Sequence, residues 1–430
     1  MPDQPAELAP IQEVAAELYK CNRCGFCQTR CPIYRVTGLE SSVARGHSAR
    51  LRFVLERDLP FDDSLKTSVS ECLMCRACTA ECPPAIETDR IIAAARSAYT
   101  AKGQSRLQRA VFRTLLPNRS ALRTSARLLG LAQRLGLGAA AGALRLFPWS
   151  RGLAEAPRMA RLPKAFLHDR VRDGRRSGRA VTFFVGCGIE YALPEVGEAT
   201  WRVLQAAGYD VRLGTNVCCG LPPYVYGDLT SAAALATRNL DALPNEGAIL
   251  TDCGSCSSFL KEYPRLFAEG SPRRTKAEGL AGRVQDAVEF LAQAELPDLQ
   301  PISASVTYHD PCHLSRYQKL SQTARALLQR VPGIDYRELP EADWCCGGAG
   351  SYSVVHHDKS VAVLERKMRN IRATGAGLVV TACPSCIMQL RYGASRFGVP
   401  VEVLHITQLL DRALLRDRHA ISVSAPAVGA

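Results

Sequence analysis

Eighteen of the 430 residues are cysteine, and spacing alone sorts all of them into four groups. The first is Cys21, Cys24, Cys27 and Cys31, followed by Pro32; the second is Cys72, Cys75, Cys78 and Cys82, followed by Pro83. Each is a C-x2-C-x2-C-x3-C-P run, the pattern that binds a cubane [4Fe–4S] cluster. Three thiolates spaced in this way wrap a loop around three irons, while the fourth is turned toward the neighbouring cluster. The expected ligand sets are therefore Cys21, Cys24, Cys27 and Cys82 for one cubane, and Cys31, Cys72, Cys75 and Cys78 for the other. Zinc sites instead show CxxC pairs a dozen or more residues apart, which disfavours zinc here.

The third group is Cys187, the pair Cys218 and Cys219 before Gly220, and Cys253 with Cys256; the fourth is Cys312, the pair Cys345 and Cys346 before Gly347, and Cys383 with Cys386. Corresponding cysteines lie 125, 127 and 130 positions apart, so these groups form an internal duplication. Five cysteines exceed the four ligands that zinc takes. Adjacent cysteines do not readily aim both sulfurs at one metal, but they can bridge two irons of a cluster. The following glycine lets the backbone approach closely. On chemistry alone an iron–sulfur centre is the favoured occupant of each repeat, with zinc and a metal-free redox dithiol left open.

Elements must position these sulfurs. Arg45–Arg57 carries Leu51, Val54 and Leu55 at helical spacing, and Ile86–Tyr99 also reads as a helix. An all-α ferredoxin with two clusters is thus expected at 1–103. In the first repeat, strands are expected at Val181–Gly186, Tyr209–Leu213 and Ala248–Thr251, with helices at Val196–Ala206 and Ser231–Leu243. In the second, strands at Ser305–His309, Tyr336–Leu339 and Leu378–Thr381 alternate with helices at Ser321–Val331 and Lys359–Ala373. Such alternation means βαβ units and parallel sheets. The cysteines fall just past strand ends, the edge where open α/β sheets bind ligands. The expected class is α+β multidomain, with the duplicated α/β region at 181–300 and 301–430.

Composition excludes other classes. With 47% hydrophobic and 22% charged residues, the chain is neither disordered nor collagen-like nor a coiled coil. Met1–Lys20 has no basic n-region or apolar h-region, and no uninterrupted apolar stretch reads as a membrane span. A cytoplasmic address with reduced thiols is expected. The net charge of +13 is concentrated: residues 101–180 hold 18 Lys and Arg against Glu155, Asp169 and Asp173. Pro117, Pro148, Pro157 and Pro163 interrupt this block, which reads as a basic helical linker over 104–180. No aromatic interleaving accompanies its arginines, so no nucleic-acid partner is expected. Gly136, Gly138 and Gly142 superficially resemble a dinucleotide loop. No strand precedes them and no GxxxxGK[ST] loop occurs elsewhere, so this chain is expected to bind neither flavin nor NAD.

The segments CNRCGFCQTRCPIY, CLMCRACTAECP and YHDPCHLSRYQ, with the two Cys-Cys-Gly repeats, resemble the iron–sulfur subunit of glycolate oxidase and lactate-utilisation complexes. The resemblance runs from about Leu18 to Leu410. The repeats are also similar to the CCG domains of heterodisulfide reductase, and the anaerobic glycerol-3-phosphate dehydrogenase C subunit shares the layout. In the reductase relatives, the five cysteines of a CCG motif hold one noncubane [4Fe–4S] cluster. Carried over, Cys187, Cys218, Cys219, Cys253 and Cys256 would hold one, and Cys312, Cys345, Cys346, Cys383 and Cys386 another. The resemblance implies an electron-transfer subunit that takes electrons from a separate FAD subunit of a 2-hydroxyacid (glycolate or lactate) dehydrogenase and passes them to a quinone or other carrier. Disulfide reduction at a noncubane cluster is the alternative, and a zinc-stabilised scaffold the third class.

Other side chains have two readings each. His309, Asp310 and His313 flank Cys312 and would tune or ligate a cluster, or merely form a strand-end turn. Tyr317 and Trp344 are expected over the cluster pocket and His356–His357 at the surface. Lys20, Arg23, Arg30 and Arg76 would offset cluster charge or dock a partner, or be solvated. Arg119, Arg123 and Arg127, with Leu122, Leu128, Leu129, Leu131 and Leu135, form a basic amphipathic stretch expected first to pack on the ferredoxin module. Docking a flavin subunit and lying on the inner membrane face are its other roles.

Overall fold

In the N-terminal module, helix Ala44–Leu55 buries Leu51, Val54 and Leu55, and helix Thr88–Lys102 buries Ile91, Ile92, Ala95 and Ala98. Between them, helix Asp63–Ser70 begins where the Asp62 carboxylate accepts from the Leu65 amide at 2.9 Å. Their apolar faces meet Ile11 and Leu18 in one core. Periodicity does not reveal the middle helix, whose buried apolar residues are only Leu65 and Val69. The computed structural model describes residues 5–137, 140, 155, 161–171 and 179–414, and no strand occurs over 5–137.

Two four-stranded parallel sheets follow. Strands β1 (Arg179–Phe183), β2 (Tyr209–Leu213), β3 (Ala248–Thr251) and β4 (Val284–Asp286) are ordered β2-β1-β3-β4. Strands β5 (Ala304–Tyr308), β6 (Ile334–Tyr336), β7 (Leu378–Thr381) and β8 (Glu402–His405) are ordered β6-β5-β7-β8. Val181 of β1 aligns with Val211 and Ala248, and Val306 of β5 with Tyr336 and Leu378. A single core runs from Val181 and Phe183 through Val306 and Val380, so the sheets share their interior. Helix Pro194–Ala206 packs on helix Ile406–Leu414, and helix Ala287–Gln293 on helix Ser321–Gln329. Each repeat thus gives the same two helices to the other, as in an isologous interface.

Two strands are not expected from the sequence, and two others need their bounds corrected. Edge strands β4 and β8 are absent from the sequence reading because they are short and paired on one side only, and Val284–Asp286 contributes a single apolar residue. Strand β6 ends at Tyr336 rather than starting there, since Gly333 at φ +77° turns the chain into Ile334. Strand β1 ends at Phe183, and Phe184–Gly186 lead into the first cysteine.

The basic stretch forms helix Arg119–Arg134. It packs on the first repeat rather than the ferredoxin module: Leu122 packs against a cluster that includes Cys218 and Leu235, and Arg119 reaches the Gly214 carbonyl, while Arg123 pairs with Asp169 within the linker. Leu128, Leu129, Leu131 and Leu135 are exposed. Most of the Gly136–Gly142 stretch lies outside the described residues.

Candidate functional site

The two ferredoxin loops have matching backbones. Arg23 and Gly25 in the first, and Met74 and Arg76 in the second, all have positive φ, which coils each loop around its own cysteines. At the end of the first run, Cys31 caps helix Pro32–Thr37, its sulfur accepting from the Tyr34 amide at 3.5 Å, with Pro32 in the first turn. This cap turns Cys31 away from its own triplet. It lines a cavity with Cys72, Cys75 and Cys78, next to His47 and Thr88. A second cavity is lined by Cys21, Cys24, Cys27 and Cys82, and Cys78 borders both. Burial pushes the Cys31 thiol up to about 12 and Cys72 to about 11.

Both cysteine-rich repeats place their sulfurs past the C-terminal ends of the parallel strands. Cys187 starts the short helix after β1, Cys218 and Cys219 follow β2, and Cys253 caps helix Gly254–Lys261 after β3. The thiols neighbour one another in the order Cys187, Cys218, Cys219, Cys256, Cys253. The second repeat has the same order, Cys312, Cys345, Cys346, Cys386, Cys383, with Cys346 and Cys386 at 3.6 Å. Gly220 and Gly347 make this possible. Both have positive φ, and a Cβ would lie 3.2 Å from the Ala232 carbonyl oxygen at Gly220 and 2.7 Å from the Ser360 carbonyl oxygen at Gly347.

The three regions meet at sulfur. Cys75 of the ferredoxin module packs in one cluster with Cys345, and Cys383 of the second repeat neighbours Cys253 of the first. A cavity of about 790 Å³ opens between them, bordered by Cys72, by Cys187, Cys219, Cys253 and Cys256, and by Cys312, Cys345, Cys346, Cys383 and Cys386. The described cysteines are all free thiols. Such a donor set is soft, and five linked sulfurs exceed what one zinc ion takes, so the sites fit iron–sulfur clusters.

Polar and charged side chains hold this junction together, Arg96 and Arg316 among them, which the sequence does not single out. Half-buried Arg96 donates to the carbonyls of Val69 and Cys72 at 2.7 and 2.6 Å, and to Val225 of the first repeat at 2.6 Å. Arg316 donates to the Cys75 carbonyl at 3.2 Å, and the Tyr317 hydroxyl to the Met74 carbonyl at 2.8 Å. Arg76 pairs with Asp89 at 2.8 Å and Glu262 at 3.0 Å, and lies 3.8 Å from the centre of the Tyr317 ring. Arg30 pairs with Asp343 of the second repeat at 2.7 Å, whereas Lys20 pairs locally with Glu17 and the Arg23 carbonyl accepts from Arg45.

The histidines divide. His313 stacks on Tyr317 at 4.3 Å beside the cavity, and burial lowers it to about 4. Asp310 faces away, pairing with Arg325 at 3.0 Å. Trp344 is buried under Arg366, its indole N–H directed to the Val363 carbonyl, and does not border the cavity. Both His356 and His357 are half-buried rather than surface residues, and His356 borders the cavity.

Comparisons with known proteins agree with this layout. A 4Fe-4S dicluster domain model matches residues 17–86, a glycolate oxidase iron-sulfur subunit linker model 103–160, and a cysteine-rich CCG domain model 181–261 and 306–391. A probable glycolate oxidase iron-sulfur subunit of Bacillus subtilis is 31% identical over 92% of this chain and 93% of its own length. The glycolate oxidase iron-sulfur subunit of Escherichia coli is 28% identical over 94% and 96%. Lactate utilization protein A of Bacillus pumilus is 30% identical over 54% of this chain and 98% of its own. Sulfurs grouped past strand ends, a helical dicluster module and similarity over nearly the full length converge: this chain is an iron–sulfur electron-transfer protein of the glycolate oxidase iron–sulfur subunit family.

Proposed function

We propose that this chain is the electron-relay subunit of an FAD-dependent 2-hydroxyacid dehydrogenase, with glycolate or lactate as the donor. The observation that carries this reading is the unbroken succession of sulfurs from Cys75 through Cys345 and Cys383 to Cys253. Eight cysteines of the two runs would hold two cubanes, and the ten of the repeats two noncubane clusters. Iron–sulfur centres supply one-electron storage and transfer. The chain's own residues space the centres, exclude water and fix the order of contact. Oxidation of a hydroxyacid to a 2-oxoacid releases two electrons and two protons at the flavin subunit. A quinone takes up two of each at the far end, so the balance closes with electrons alone passing through this chain. Among the described residues no helix is long and apolar enough to cross a membrane. We place the chain in the cytoplasm, with the exposed leucines of helix Arg119–Arg134 as the candidate contact for a membrane face.

A second reading has its own support: the cavity of about 790 Å³ exposes sulfurs of both repeats to one volume. An organic disulfide bound there would be cleaved to two thiols by two electrons and two protons. One experiment separates the two. Anaerobically purified chain, mixed with the flavin subunit and glycolate or lactate, should show reduced-cluster EPR signals that a quinone abolishes. Clusters that stay oxidised with hydroxyacid, yet lose electrons to a disulfide once dithionite has reduced them, would replace the first reading with the second.

A further inference from the structure

The two cysteine-rich repeats present matching sulfurs in matching order, yet two buried positions differ beside them. His309 is 1% exposed, and neither ring nitrogen has a protein hydrogen-bond partner. One of those nitrogens lies within 4.8 Å of the sulfurs of Cys346 and Cys386. An unpartnered buried donor is costly, so this pocket is shaped around a group that the imidazole meets. The equivalent residue of the first repeat, three before its first cysteine, is Phe184, fully buried against Cys219, Cys253 and Cys256.

The second difference is a charge. Lys367 is fully buried on helix His357–Thr374 and donates to the carbonyls of Glu341 and Ala342 at 2.6 and 3.0 Å, in the turn that leads into Cys345 and Cys346. The close approaches of Gly220 to Ala232 and of Gly347 to Ser360 align the two helices. Seven residues further on, the first repeat has Asn239, a neutral amide bonded to the Cys218 carbonyl at 3.0 Å and the Tyr263 hydroxyl at 2.9 Å. An N–H directed at cluster sulfur and a nearby cation both stabilise the more negative, reduced state and so raise its potential.

We infer that the two centres are not electronic equals: His309, by donating an N–H to sulfur, and Lys367, by its charge, set the second repeat's centre at the higher reduction potential. An electron crossing from Cys75 to Cys345 is then held at the second repeat ahead of the first. This rests on the reading that each repeat holds an iron–sulfur centre. It makes His309 a tuning residue rather than a ligand.

The test is an anaerobic EPR-monitored redox titration of the whole chain, with iron counted in every variant. His309→Phe copies the first repeat's own residue. It should lower one non-ferredoxin potential by about 59 mV or more, a tenfold change in a one-electron equilibrium, with iron content unchanged. His309→Gln keeps an N–H donor and should recover most of that shift, and Phe184→His should raise the other centre. Unchanged potentials in both His309→Phe and Phe184→His would overturn the inference. So would iron loss in His309→Phe that His309→Gln does not restore. Wild-type protein with about eight irons and only ferredoxin-type signals would sink the underlying reading as well, and that result is visible before any variant is made.

Discussion

Single residues hold the cysteine-rich loops open against backbone strain. Gly347 combines φ +80° with a blocked Cβ direction, 2.7 Å from a carbonyl oxygen, whereas Gly220 combines φ +94° with a looser 3.2 Å. Left-handed backbone costs a non-glycine residue about 1–2 kcal/mol, and a Cβ forced against backbone adds about 1–3 kcal/mol. Gly347→Ala should therefore destabilise the protein by about 2–5 kcal/mol and lower its iron content, with Gly220→Ala milder; thermal melts and iron analysis check both. Asp228 offers a pH test away from the sulfurs. It caps helix Leu229–Ala242, accepting from the Ser231 amide at 2.9 Å, the Ser231 hydroxyl at 2.8 Å and Gln104 at 2.9 Å. Burial pushes its carboxyl up, but these bonds outweigh burial and hold it below its ordinary value. A depressed carboxyl stabilises the fold above the unfolded pKa, and that contribution fades as pH falls through the lower folded value. Asp228→Ala should cost about 1 kcal/mol at neutral pH and flatten the acid limb of stability measured by urea unfolding; an unchanged acid limb would count against the assignment.

At the scale of elements, helix Thr88–Lys102 is the strut between the ferredoxin loops and the first repeat. Its Arg96 satisfies carbonyls from both sides, Cys72 and Val225 among them. Each buried carbonyl left without a donor costs about 1–3 kcal/mol, so Arg96→Ala should remove about 3 kcal/mol or more and deplete the cluster proposed at Cys31, Cys72, Cys75 and Cys78. Arg96→Lys, with one point charge in place of a planar fork, should recover only part of that. Denaturant midpoints with parallel iron analysis decide it. Periodicity shows this helix and its apolar face. It does not show that an arginine on the helix is turned inward, because a charged residue in sequence reads as solvent-facing.

At the scale of the whole molecule, Arg76 ties all three parts together through Asp89, Glu262 and the Tyr317 ring. Removing one partner of a buried charge pair costs about 3–5 kcal/mol, because the other charge is stranded. Arg76→Ala should lower stability by about that amount. It should also slow equilibration between the ferredoxin clusters and the second repeat in flash-reduction kinetics, with each module keeping its iron. Equal kinetics in the variant would mean that the Cys75–Cys345 contact is held by Arg316 and Tyr317 alone.

The cysteine groups, the duplication, the helical character of the first module and the parallel sheets were all legible in the chain itself. Each depends on local spacing or period: ligand intervals within a loop, apolar alternation within a strand, recurrence across the repeat. The meeting of Cys75 with Cys345 and of Cys253 with Cys383, the edge strands β4 and β8, and the docking of helix Arg119–Arg134 on the first repeat were decided only by tertiary structure. These are contacts between segments distant in sequence, brought together by the reciprocal helix packing of the repeats and by half-buried arginines whose partners no local pattern names. The four sulfur groups are thus written in the chain, but the path between them exists only once the modules close on one another.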